Sequence, residues 1–299
     1  MDSNGIRVGL VGLGRMGSAL VPHFVRGCSS VVVWNRSADK CAAAAQAGAR
    51  ISHSLREVVE SSDIVLSILF DDAAVTEVYL GPDGLLAHQC AGRVFVEMST
   101  IKPSTIRSIA RTAATRHASV VDAPVSGTVG PAREGKLLVL AGGSPEDLAR
   151  VTPVLSLFAR RIVHLGSTGS GTSMKLAMQL PLYVYWQALG EALSIGKASG
   201  LELSEMLALI VDSPAAVAML KSKIPVLLSQ DPEVAFALSA AQKDLALIVE
   251  TGRSLGLSVP CASAASATYG AAAHAGWGDK DVAKLVSFLM GKSASADGA

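Results

Sequence analysis

An α/β doubly wound parallel sheet followed by an all-helical domain is the fold this sequence predicts, and three observations carry it. Short apolar, β-branched runs alternate with helical periodicity from residue 6 to residue 165. A glycine-rich turn joins the first of those runs to the first helix. Strand signals then stop after Gly166, and the pattern is helical alone as far as Leu289. The expected domains are therefore residues 1–166 and 167–299, the second opening on a long interdomain helix.

The first strand, residues 6–13, stops at Gly12-Leu13-Gly14-Arg15-Met16-Gly17, and helical periodicity follows at once from Ser18 toward Arg26. The three glycines do different things. Gly12 permits the tight turn, Gly14 lets backbone approach a pyrophosphate, and Gly17 lets helix and strand pack closely. Amide donors at the helix start, with the positive end of its dipole, face the phosphates. A dinucleotide is thus expected on Gly12, Leu13, Gly14, Arg15 and Met16. The second strand, residues 31–34, ends in Asn35-Arg36-Ser37, with Lys40 nearby. An acidic residue there would bind the ribose hydroxyls and repel a 2′-phosphate. A neutral amide, a guanidinium and a hydroxyl suit the phosphate instead, so NADP(H) is expected over NAD(H), held by Asn35, Arg36 and Ser37.

An alanine-rich helix, 38–47, returns to a short edge strand at 49–51. Helix 55–60 precedes strand 64–69, after which Asp71 or Asp72 caps the next helix. Residues 81–84 form a turn. Strand 94–98 runs into Ser99 and Thr100, and Pro103 begins another helix. Ligands of open α/β sheets lie outside the carboxyl ends of the strands, where Phe70, Ser99 and Thr100 fall, and Leu69, Phe70 and Thr100 are expected as cofactor contacts. Strand 119–123 feeds the loop 124–130, whose amides and two hydroxyls suit a substrate carboxylate. Strand 136–141, helix 146–157 and strand 161–165 complete the half as late, hairpin-like additions.

After the glycine-rich turn at 166–171, a long helix runs from Thr172, with Pro181 expected to kink it or be absorbed. Lys175 enters an otherwise apolar segment, where an unpaired ammonium is costly unless something uses its charge. Residues 175, 179, 182 and 186 share one helical face, so Lys175, Gln179, Leu182 and Trp186 can line one wall, with Tyr183 close by. Further on, Asp231-Pro232 reads as a turn before Phe236. Segment 236–255 holds Lys243-Asp244, and residues 277–281 cap the final helix. The tail, 293–299, is small and polar, and reads as disordered.

Composition excludes several classes. The formal net charge of +1, with no basic run, argues against a nucleic-acid partner. Half of the residues are hydrophobic, yet the longest apolar stretch, 176–190, contains Gln179, Pro181 and Gln187 and is too short to span a bilayer. The four cysteines lie far apart, without metal-ligand spacing, as expected of free thiols in a reducing compartment. No metal is expected. No leader pattern precedes the first strand, and a cytoplasmic protein is expected. The long apolar helix is expected to need a second copy to cover it, giving a homodimer, with a tetramer as the alternative.

Taken together, VGLVGLGRMGSAL, EMSTIKP, DAPVSGTVGPAREGKLLVLAGG, GSTGSGTSMK and QKDL resemble the β-hydroxyacid dehydrogenase family over nearly the whole chain. The resemblance implies a Rossmann-like dinucleotide domain and hydride transfer between a nicotinamide and a small 3-hydroxy acid or aldehyde acid. It implies that Lys175 is the catalytic acid and base and that Ser126, Gly127 and Thr128 hold the substrate carboxylate. It also implies that Phe236 lines the substrate side, that Lys243 approaches the cofactor, and that Thr100 lies near the nicotinamide. One position departs from the family: the usual asparagine pair three and four residues after the lysine is Met178 and Gln179 here. Gln179 keeps an amide one methylene further out, expected to orient the lysine or the substrate oxygen. The alternatives are an imine reductase for a bulkier substrate and a cofactor-binding protein without catalysis.

Overall fold

Strand β1 (Arg7–Val11) lies inside a six-stranded parallel sheet with β2 (Ser30–Trp34), β3 (Arg50–Ile51), β4 (Ile64–Ser67), β5 (Val94–Glu97) and β6 (Ser119–Asp122), in the order β3-β2-β1-β4-β5-β6. The order reverses between β1 and β4, the place where such sheets open a crevice at their carboxyl ends. The computed structural model describes residues 3–230 and 234–292. Alternation along the strands sends Val8, Leu10, Leu66 and Val96 to one buried face and Val11, Val65 and Phe95 to the other. Both faces are covered by α1 (Arg15–Gly27), α2 (Ala42–Gln46), α3 (Leu55–Glu60), α4 (Asp72–Leu80), α5 (Pro103–Thr115), α6 (Val129–Arg133) and α7 (Pro145–Leu155).

Local chemistry sets the helix starts. Ser54, Asp71 and Ser144 accept from the amides of Glu57, Ala74 and Asp147, and Pro103 and Pro145 open α5 and α7. The helix expected over 38–47 begins as a 3-10 turn, Ala38–Cys41, and continues as the short α2. The late additions form a second sheet: β7 (Val125–Ser126) runs antiparallel to β8 (Leu137–Ala141), which is parallel to β9 (Ala159–His164).

The chain divides into two compact units, Met1–Leu176 and Ala177–Ala299. The division falls inside α8 (Ser170–Ala198), past the 166/167 boundary expected from sequence, because residues of the first unit hold the opening turns of that helix. Pro181 sits within this 29-residue helix without ending it. The second unit continues through α9 (Leu203–Val211), α10 (Leu220–Leu227), α11 (Leu238–Ser254), α12 (Pro260–Ala272) and α13 (Lys284–Lys292). Asp281 accepts from the Ala283 amide just before α13 and pairs with Lys223 of α10 at 2.6 Å, both side chains buried. The turn expected at Asp231-Pro232 and the tail from Ser293 lie outside the described residues. Among the described residues, no helix is long and apolar enough to cross a membrane.

Candidate active site

At the carboxyl end of β1, Gly12 takes φ +98°, a backbone state that a side chain rarely tolerates, and a Cβ there would run into the Ile68 carbonyl. A Cβ on Gly17 would strike the Gly12 carbonyl, whereas Gly14 borders open space. Gly14 gives α1 no side-chain cap, and no acidic residue stands in its first turn. The helix start therefore suits an anion, and the cradle fits a dinucleotide pyrophosphate. Asn35 braces this loop from β2: its Oδ1 accepts from the Leu13 amide at 2.9 Å and its Nδ2 donates to the Ser37 carbonyl at 2.9 Å. The amide expected to help hold the 2′-phosphate is thus engaged by the protein on both sides. Arg36, Ser37 and Lys40 are exposed beside it.

The loops after β4 and β5 are tied together by Ser67 and by Glu97 and Ser99 of the EMSTIKP stretch. The Leu69 amide donates to Ser99 Oγ at 2.7 Å, and the Ser99 amide donates to Glu97 Oε1 at 2.6 Å. Ser67, itself bonded to the Tyr79 hydroxyl at 2.7 Å, donates to the other Glu97 oxygen. Phe70, next to Leu69, is 58% exposed, and Thr100 is half-buried. Glu97 does leave one trace in the sequence, since an acid ending the apolar run Val94-Phe95-Val96 needs a reason. Burial pushes its carboxyl up to about 7, against the pull of the Ser67 and Ser99 donors, and nearby Asp122 adds to the rise. The folded protein holds Glu97 neutral at pH values where the unfolded chain has already ionised it. Stability from this group is therefore present in acid and lost as pH rises through about 7. In chemical denaturation, wild type should lose on the order of 3 kcal/mol relative to Glu97→Gln between about pH 4 and about pH 8. Parallel pH curves for the two proteins would contradict this.

Asp122, at the end of β6 and fully buried, organises the start of α8. Its Oδ1 accepts from the Gly169 amide at 2.7 Å, and its Oδ2 accepts from the Thr172 amide at 2.7 Å and the Thr172 hydroxyl at 3.0 Å. Burial pushes this carboxyl up, and the Gly169 and Thr172 donors pull it back. Three residues on, the Val125 carbonyl accepts from Lys175 Nζ at 2.9 Å. One short segment thus caps the helix and receives the ammonium that the helix carries. Lys175 is buried; Ser126 and Thr128 are half-buried and Gly127 is exposed in the loop directly following Val125. The structure therefore brings Lys175 to the segment that carries the proposed carboxylate-binding residues. A desolvated ammonium beside backbone and hydroxyl donors can hold a carboxylate and deliver a proton to a neighbouring oxygen.

In the second unit, Gln179 belongs to a partly buried hydrogen-bonded cluster. Tyr183 donates to Asp244 Oδ2 at 2.6 Å, and Gln179 Nε2 donates to the Tyr183 hydroxyl at 2.7 Å and to Asp244 Oδ2 at 3.3 Å. Lys243 pairs with Asp244 Oδ1 at 2.7 Å. The Phe236 ring stacks on Tyr183 at 6.3 Å, interplanar angle 11°. Burial, then Asp244, holds the Tyr183 phenol well above its usual range, so it keeps its proton. Asp244 joins three of the groups that the sequence singles out, Gln179, Tyr183 and Lys243, yet in sequence it stands only as the second half of a Lys-Asp pair. Among the described residues, no cluster of three His, Cys, Asp or Glu side chains is placed to hold a metal.

Both halves of the chain match known proteins. Residues 7–166 match the family model for the NAD binding domain of 6-phosphogluconate dehydrogenase. Residues 169–289 match that for the NAD-binding domain of NADP-dependent 3-hydroxyisobutyrate dehydrogenase. Glyoxylate/succinic semialdehyde reductase 1 of Arabidopsis thaliana is 30% identical over 281 residues, covering 94% of this chain and 97% of that protein. The structure of Mycobacterium tuberculosis 3-hydroxyisobutyrate dehydrogenase with L-serine matches with a TM-score of 0.85 at 26% identity, over 95% of this chain and 99% of that one. Psf3 in complex with NADP+ matches with a TM-score of 0.83 at 26% identity, over 94% of this chain and 99% of that one. With a dinucleotide cradle after β1 and family matches over both halves, the chain belongs to the β-hydroxyacid dehydrogenase family of NAD(P)-dependent oxidoreductases.

Proposed function

We propose that this oxidoreductase interconverts small aldehyde acids and 3-hydroxy acids, with NADP(H) preferred over NAD(H) and Lys175 as general acid and base. The observation that carries the reading is the buried Lys175 ammonium, bonded to the Val125 carbonyl at the head of the Ser126-Gly127-Thr128 loop. When bound, the nicotinamide supplies the hydride that reduces the carbonyl carbon. Ser126, Gly127 and Thr128 orient the substrate carboxylate. Lys175 hydrogen-bonds the carbonyl oxygen and gives it a proton as negative charge develops, and takes that proton back in the reverse direction. Gly12, Leu13, Gly14, Arg15 and Met16 hold the pyrophosphate. Leu69, Phe70, Thr100 and Lys243 are proposed to complete the cofactor site. NADPH oxidation with a panel of aldehyde acids, glyoxylate and succinic semialdehyde among them, tests the reading. Saturable turnover supports it, and tight NADPH binding without turnover of any member would overturn it.

The preference for NADP(H) rests on exposed Arg36 and Ser37, with no acid at the end of β2. Arg36→Asp is expected to weaken NADPH by about tenfold or more while leaving NADH nearly unchanged, because it replaces a phosphate partner with a like charge. Equal losses for the two cofactors, read by fluorescence titration, would count against the phosphate contact. A cytoplasmic homodimer is part of the same proposal, supported by the exposed Ile195, Leu201, Leu209, Leu255 and Leu257 side chains of the second unit.

A further inference from the structure

Ser67, Glu97 and Asp122 stand side by side in the register of β4, β5 and β6, one buried polar row across the carboxyl end of the sheet. Glu97, in the middle, holds the loops on its side. Its Oε1 accepts from the Ser99 amide at 2.6 Å, and Ser99 Oγ accepts from the Leu69 amide at 2.7 Å. Past Thr100, the Lys102 amide donates to Asp72 Oδ1 at 3.0 Å, so the stretch bearing Thr100 is pinned at both ends by carboxyl groups. Two titratable groups are set against Glu97: Tyr79 of α4, through Ser67, and Asp122 of β6. Tyr79 is fully buried and keeps its proton. Asp122 receives three donors, from Gly169 and Thr172, which favour its charged form. Of the two neighbouring carboxyls, Glu97 is therefore the one that takes a proton.

Ionisation changes what Glu97 does for the loops. As an acid it must donate, and Ser67 Oγ is the acceptor in reach. As a carboxylate it accepts from the Ser67 hydroxyl and from the amide and hydroxyl of Ser99. Hydrogen bonds to an ionised acceptor are roughly twice as strong as neutral ones, so the charged form holds Ser99, and through it Leu69, more firmly.

Resting on the cofactor site proposed above, we infer that Glu97 is a positioning residue for the dinucleotide: its carboxylate sets the loops after β4 and β5, and cofactor binding expels its proton. Burial places this titration at about 7 in the free protein. Binding lowers it, so affinity rises with pH across that value and then levels off. The dependence runs opposite to that of folding stability, which falls over the same interval.

Titration calorimetry with NADP+ between about pH 6 and about pH 8 tests this against Glu97→Gln, the isostere of the neutral acid, which cannot ionise. Relative to that variant, wild type should gain at least about fivefold in affinity over the interval. The ratio of the two proteins cancels the titration of the cofactor's own phosphate. Near neutrality, buffers of different ionisation heat should register a proton released by wild type and not by Glu97→Gln. Ser67→Ala removes a donor to the carboxylate and should move the affinity profile to higher pH, which keeps the test standing if Glu97→Gln does not fold. Parallel profiles for wild type and Glu97→Gln, or a Ser67→Ala profile that stays in place, would overturn the inference and leave the oxidoreductase reading intact. Failure of wild type to bind NADP+ at any pH would remove the proposed cofactor site as well.

Discussion

Replacing Lys175 with alanine is expected to lower turnover by roughly 10²–10⁴-fold, the range a positioned general acid or base contributes. The dissociation constant for NADPH should change by less than about twofold, because cofactor and lysine are assigned to different parts of the chain. The cause lies in the lysine's surroundings. Its Nζ is held 2.9 Å from the Val125 carbonyl in a buried site, where water replaces a missing proton donor poorly. Stopped-flow turnover with NADPH, set beside a fluorescence titration of the same variant, separates the two quantities. A variant with unimpaired turnover would show that another group moves the proton.

The second large effect is expected at Asp122. Asp122→Ala leaves the Gly169 amide, the Thr172 amide and the Thr172 hydroxyl without their buried acceptor. Unsatisfied donors of this kind, left by a buried carboxylate, cost on the order of 3 kcal/mol in total. The opening turns of α8, which carry Lys175, are the part that loosens, so kcat should fall at least about tenfold beyond any loss of folded protein, while the KM for the cofactor holds. Denaturation and steady-state kinetics together check this. Full kcat in a destabilised Asp122→Ala protein would mean that the cap serves stability alone.

How much is legible in the sequence follows the range of the interactions. The β1–glycine loop–α1 unit is readable because strand, turn and helix are written in consecutive residues, and Gly17 is constrained by the carbonyl of Gly12 in the same turn. The α8 face bearing Lys175 and Gln179 follows from helical spacing. Asp122 opens a motif visible in the sequence, but what its carboxylate does is not, because its partners lie 47 and 50 residues downstream. Asp244 is hidden for the same reason, 65 residues from Gln179. Asn35 has a visible amide at the expected place, yet what it does depends on the Leu13 amide 22 residues away. Two-residue strand β7 carries no periodic signal at all, since it exists through its pairing with β8.

A structure of the complex with NADP+ and a 3-hydroxy acid measures the central claim most directly, through the separation between Lys175 Nζ and the oxygen on the reacting carbon. The account predicts hydrogen-bond distance, about 2.6–3.2 Å. An ammonium turned to bulk water, with that oxygen held by another side chain, would contradict it.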